Sequence, residues 1–296
     1  MRSAVRGASV TAVLAACLMA GAAGAADLMP RGIYEWREDH DWFGGFSGLA
    51  MTEGGASFLT VSDEGEMVRA RVRRDEGGRI VEVESEWQAR LRDNSGKPVS
   101  GFTADAEALS VAPDGTVFVA YESYTRITSV TLPDLMPVTL HAWDRFRDLW
   151  GNAGFEGLAV LPDGRLIAIL ETAGKGATFA TFVGRNGDWQ PGPPLVADGG
   201  FDAVDATFGP DGKFWLLERR LASAAGFATR IRRFTYADGR FGKPETLLET
   251  SPGTLDNMEG MSLWTDPDGH TIVTLISDDN FLFVQKTILA EYELRE

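Results

Sequence analysis

The segment GFEGLAVLPDGRLIAILE, residues 154–171, carries an acid near its start and another at its end. Glu156 opens one apolar run, Glu171 closes the next, and Asp163-Gly164 lies between them. Alternation along Glu156–Leu161 has period two, so the run reads as a strand. An Asp-Gly pair between two such runs signals a β-hairpin, because both residues tolerate positive φ. Hairpin strands are antiparallel, so the start of the first lies beside the end of the second. Glu156 and Glu171 are therefore expected to be neighbours. A lone strand-end acid usually accepts hydrogen bonds from loop N–H groups. A converging set is different, because crowded like charges need protons or cations to neutralise them. Oxygen donors in such a set suit a hard cation, most naturally Ca²⁺.

The pattern recurs. FSGLAMTEGGASFLTVSD (46–63), AEALSVAPDGTVFVAYE (106–122), DATFGPDGKFWLLE (205–218) and MEGMSLWTDPDGHTIVTLISDD (258–279) share the same template. The units start at Ser47, Glu107, Glu156, Asp205 and Glu259, at intervals of 60, 49, 49 and 54 residues. Each interval holds the hairpin and room for one or two more strands. Four-stranded units of this length are propeller blades. The expected fold is an all-β, five-bladed β-propeller, with six blades as the alternative if the 60-residue interval hides a degenerate one. Only 37 residues follow Glu259, enough for about three strands, so Gly32–Trp36 is expected to complete the last blade and close the ring. The charged stretch Arg90–Lys97 reads as a blade-to-blade connection.

In that arrangement the acids gather at one face of the disc. The expected pairs are Ser47 with Asp63, Glu107 with Glu122, Glu156 with Glu171, Asp205 with Glu218, and Glu259 with Asp278 or Asp279. All ten acids in these pairs are candidate metal ligands. Glu156 and Glu259 are the candidate general bases. Asp114, Asp163, Asp211 and Asp268 belong to Asp-Gly turns at the opposite end. The cations near the ring are Arg219, Arg220, Arg230 and Lys286, which either pair with the acids or bind substrate.

Other chemistries find little support. His40, His141 and His270 occupy no repeated acid position and show no zinc spacing. GFSGL and GMSLW fall short of the nucleophile elbow and precede no helix. No glycine-rich phosphate loop leads into a helix. Cys17 is the only cysteine, and the formal charge is −15. Nucleic acid and anionic lipid are therefore poor partners. A small-molecule substrate, possibly a phosphorylated compound or an ester, and a monomeric chain without a membrane span are expected.

Arg2 and Arg6 precede an apolar, alanine-rich run and an A-x-A site at Ala23–Ala25. Residues 1–25 read as a signal peptide, leaving 26–296 as one domain in the periplasm or secreted. The alternative is a lipoprotein acylated at Cys17 in LAAC.

Two segments carry a resemblance. DATFGPDGKFWLLERRLASAAGFATRIRRF (205–234) and DNMEGMSLWTDPDGHTIVTLISDDNFLFVQKTILAEYEL (256–294) closely resemble the phytase-like family, the esterase-like activity of phytase. Weaker matches at 44–63 and 154–171 extend the similarity over the mature chain. The resemblance implies an exported β-propeller and ester or phosphoester hydrolysis. It carries the family's characteristic positions onto Asp205, Glu218, Arg219, Arg220, Glu259, Asp278, Asp279 and Asn280. The aspartate-dense signatures of calcium-dependent propeller phytases are absent, which argues against phytate as substrate. The expected function is a Ca²⁺-dependent ester or phosphoester hydrolase, with Arg219 assisting catalysis and Arg219, Arg220, Asn280 and Lys286 binding substrate. The alternative is a non-catalytic propeller that binds Ca²⁺ or a small ligand.

Overall fold

The computed structural model describes residues 26–296 apart from 152–153, 175 and 223–224. The expected signal peptide and Cys17 lie outside the described residues. Five four-stranded antiparallel sheets follow one another along the chain. Blade one is Phe46–Thr52, Ser57–Ser62, Glu66–Arg74 and Ile80–Arg90. Blade two is Ala106–Val111, Val117–Tyr121, Arg126–Thr131 and Met136–Thr139. Blade three is Phe155–Val160, Leu166–Leu170, Thr181–Arg185 and Asp188–Pro191. Blade four is Asp202–Phe208, Phe214–Leu221, Phe227–Phe234 and Glu245–Glu249. Blade five combines Asn257–Thr265, Thr271–Asp278 and Ile288–Arg295 with the N-terminal strand Asp27–Glu35.

Each inner strand packs against those of the two neighbouring blades, and the first meets the fifth. The protein is a five-bladed β-propeller. The closing strand pairs antiparallel with Ile288–Arg295, from Asp27 opposite Arg295 to Glu35 opposite Ile288. It starts earlier than the expected Gly32, and Trp36 lies just past its end. The 60-residue first interval holds one blade, lengthened by an 11-residue outer strand and the connection after it.

The core is divided into five apolar clusters, one at each blade interface. Trp36 shows how a junction is built. It stacks on Phe46 at 5.0 Å and meets Phe58 edge-on at 5.4 Å, while Leu289 and Ile276 of blade five join the same cluster. Complete burial of side chains this size contributes about 1.5–3 kcal/mol each. Near the axis the inner strands approach closely. A Cβ on Gly260 would lie 2.7 Å from Ile276 and 2.9 Å from the Gly48 backbone. Glycine after the acid in Glu259-Gly260 therefore permits the ring to close at this diameter.

Candidate functional site

Strand pairing fixes which residues are equivalent. In blade three Phe155 pairs with Leu170 and Gly157 with Ile169, so Glu156 is the extra residue of a β-bulge. Glu107 and Glu259 are bulged identically. Ser47 holds the corresponding place in blade one, where the bulge falls on the adjacent Gly48. A bulge turns a side chain away from the strand's regular alternation. Here that turn carries three glutamates into the ring centre. The strand-end partners Asp63, Glu122, Glu171 and Asp278 lie at the same face.

Blade four corrects the expected repeat. Ala203 pairs with Glu218 as Phe155 pairs with Leu170, and Phe208 with Phe214 as Val160 with Leu166. Val204 is thus the counterpart of Glu156, and Arg219 the counterpart of Glu171. Asp205 and Glu218 each stand one residue away from the expected places, and a one-residue step in a strand changes face. The Asp205 carboxylate accepts the Met261 N–H at 2.6 Å and the Ala206 N–H at 2.7 Å, fastening blade four to blade five. Glu218 is fully buried between two guanidiniums, receiving Arg230 Nε at 2.9 Å and Arg232 Nε at 2.6 Å. Neither acid lines the central cavity.

That cavity encloses about 260 Å³ and is lined by Ser47, Asp63, Asp105, Glu107, Glu122, Glu156, Glu171, Arg219, Glu259, Asp278 and Asn280. Eight carboxylates thus surround one guanidinium. Arg219 reaches Glu171 Oε1 at 3.1 Å and Asn257 Oδ1 at 2.9 Å, and it contacts Glu259 Oε1. Asn257 Nδ2 donates to the same Glu259 oxygen at 2.8 Å. The second Glu259 oxygen is buried without a partner. Glu156 is 5% exposed and has no hydrogen bond among the described residues. Oxygens of Asp105, Glu107 and Glu122 lie within 4.8 Å of one another, as do those of Glu122, Glu156 and Glu171.

The electrostatics follow from this crowding. Burial, then Asp278 and Glu64, push Asp63 up to about 7. Burial, then Asp105 and Glu171, push Glu122 up to about 7. Burial raises Asp278 to about 6 despite the Asn280 N–H it accepts at 2.7 Å. Glu107 and Glu156 are raised well above the carboxylate range, by burial first and by neighbouring acids second. Every uncharged donor to the cavity is an oxygen or an amide, and no histidine or cysteine lines it. The set fits a hard cation such as Ca²⁺.

Asp279, Arg220 and Lys286, three further expected site residues, lie elsewhere. Asp279 Oδ1 accepts the N–H groups of Gly45 and Phe281 at 3.0 and 3.1 Å, and Oδ2 accepts the Thr287 hydroxyl at 3.1 Å. It fastens loops rather than facing the cavity. Arg220 donates to the Gly199 carbonyl at 2.8 Å and lies over Phe201. Lys286 pairs with Glu35 at 3.0 Å on the surface. Asn280 does line the cavity. Asp105 was missed by the repeat, yet it stands two residues before Glu107, as Asn257 stands before Glu259. A third acidic group, Asp266, Asp268 and His270, is turn chemistry: Asp266 Oδ1 accepts the N–H groups of Asp268 and His270, and Oδ2 pairs with Arg31.

Residues 41–281 match the family model described as phytase-like, esterase-like activity of phytase. The chain belongs to the phytase-like family. No curated protein matches it. Among solved structures, this phytase-like propeller is similar to the α-L-arabinofuranosidase from Podospora anserina in complex with cellotriose. The identity is 10%, the match covers 92% of this chain and 98% of that one, and the TM-score is 0.51. It is also similar to the PQQ-bound aldose sugar dehydrogenase from Streptomyces coelicolor, at 15% identity, 89% and 98% coverage and a TM-score of 0.46. At these identities the likeness concerns the fold alone. No helix among the described residues is long and apolar enough to cross a membrane.

Proposed function

We propose that this phytase-like propeller is an exported, Ca²⁺-dependent ester or phosphoester hydrolase whose site is the acidic central cavity. The carrying observation is the charge imbalance: eight carboxylates and one arginine line a single cavity. Asp63, Asp105, Glu107, Glu122, Glu156 and Glu171 would hold the cation. A bound Ca²⁺ supplies Lewis-acid polarisation of the ester or phosphoryl oxygen and lowers the pKa of bound water.

The chain's own residues complete the site. Glu259 is the general base: Arg219 and Asn257 fix one oxygen, leaving the other to take the proton from attacking water. The protonated Glu259 then returns a proton to the departing alkoxide. Arg219 is held on three partners and offers charge to the developing oxyanion. Glu156, the other expected base, belongs with the cation ligands.

Chelated and Ca²⁺-loaded protein should be assayed against phosphomonoesters, phosphodiesters and carboxyl esters. Hydrolysis that appears only with Ca²⁺ and disappears in Glu259→Gln supports the proposal. Ca²⁺ binding without turnover of any ester would leave the non-catalytic propeller as the function.

A further inference from the structure

The acids of the cavity are not spread evenly. Those nearest blade five are matched by Arg219 and Asn257. Those of blades two and three divide into two groups of three oxygens, Asp105–Glu107–Glu122 and Glu122–Glu156–Glu171, and among the described residues Arg219 pairs with Glu171 alone of these five acids. Glu122 belongs to both. Within each group the oxygens lie no more than 4.8 Å apart, close enough to share one ion.

An acidic cluster alone would not define a site, but the burial of Glu156 adds an independent observation. The residue is 5% exposed, lines the cavity and has no side-chain hydrogen bond among the described residues, and Asp63 Oδ1 and Glu259 Oε2 of the same cavity are buried without a partner. Buried charges in proteins are paired or coordinate metals. Glu156 shares its oxygen group with Glu122 and Glu171 and pairs with no cationic side chain among the described residues, so an ion in the cavity would neutralise it where a proton otherwise must.

We propose that the cavity binds two divalent cations bridged by Glu122, one held by Asp105 and Glu107, the other by Glu156 and Glu171. This rests on the proposed cation-dependent site and goes further by fixing ion number and the bridging residue. A carboxylate that donates one oxygen to each ion holds them about 3.5–4 Å apart, the spacing of two-metal hydrolytic centres. Such a pair clamps an oxygen anion between two charges, which suits a phosphoester better than a carboxyl ester. Arg219 takes the place of a third cation beside Glu171 and Glu259.

Mn²⁺ tests the proposal without relying on activity. Chelated full-length protein is titrated with Mn²⁺, bound metal is counted after dialysis, and the electron paramagnetic resonance spectrum is recorded. Two ions per chain with an exchange-coupled spectrum are expected. Asp105→Asn and Glu171→Gln should each leave one uncoupled ion, and Glu122→Gln should abolish coupling and lose at least one ion. Each change removes charge from a crowded cavity, so folding is expected to persist, and melting curves verify it. One ion per chain in the wild type, or coupling that survives Glu122→Gln, overturns the pair while leaving a cation-dependent site. No bound ion at all overturns both.

Discussion

Arg219 occupies in blade four the place that Glu171 holds in blade three, and the two side chains meet at 3.1 Å. One blade thus contributes a cation where its neighbour contributes an acid. Replacing Arg219 with methionine should therefore act in two directions. Hydrolysis should fall about 10²–10³-fold, as when an oxyanion-binding donor is lost. Divalent-cation affinity should rise, because the ring loses its competing positive charge. Calorimetric titration beside the kinetic assay checks both; weaker cation binding would contradict this arrangement.

Glu156 and Glu259 should respond oppositely to amidation in cation-free protein. Glu156 has acids around it and no hydrogen-bond partner among the described residues, so Glu156→Gln relieves repulsion and raises the melting temperature by roughly 2–4 °C. Glu259 is held by Arg219 and Asn257, so Glu259→Gln lowers it. Scanning calorimetry in chelator compares the two. Equal signs would mean that both acids play one structural role.

The pH dependence follows from Asp63 and Glu122, each near 7 in the fold against ordinary values of 3.8 and 4.5. Between those limits the folded chain retains protons that the unfolded chain has released. Stability of cation-free protein should therefore fall as pH rises from about 4 to about 8 and then level. Protons compete with Ca²⁺ for these carboxylates, so Ca²⁺ should stabilise little near pH 5. Above about pH 8 the gain should reach about 2.7 kcal/mol at a hundredfold excess over Kd. Thermal melts across this range, with and without chelator, provide the check.

Glu218 should behave unlike the ring acids. Glu218→Gln leaves the buried Arg230 and Arg232 with only the exposed Asp198 as a charge partner and should cost about 3–5 kcal/mol. It should leave the number of bound cations unchanged. Urea unfolding and metal counting separate this residue from Glu122, whose replacement should show the reverse pattern.

The sequence made the blade hairpins legible because alternation and Asp-Gly turns are local signals. Ring closure was legible too, since the chain after Glu259 was one strand short. The slip in blade four arose from aligning acids by type instead of counting from the turn. Glu107 and Glu156 each precede the turn aspartate by seven residues, whereas Asp205 precedes Asp211 by six. Counting seven beyond the turn glycine leads from Gly164 to Glu171 and from Gly212 to Arg219. The bulges themselves left no such mark. They depend on how neighbouring inner strands press together at the axis, as the contact between Gly260 and Gly48 shows. The pairing of Glu218 with two arginines likewise required the third strand of blade four to be placed beside the second.

The pairing of Glu35 with Ile288 joins positions 253 residues apart, which makes folding order a consequence of topology. Blades one to four can form as the chain is synthesised, but the ring cannot close before the strand at Ile288–Arg295 emerges. Contacts this distant form slowly, because loop-closure entropy precedes their reward. Glu259 and Asp278 arrive with that last blade, beside Ser47 and Asp63 of the first. The acidic chamber therefore matures in the closing step, when its electrostatic repulsion is also greatest. Cations bound as proposed would offset that repulsion and so favour the closed ring, while adding little to the strength of any single blade.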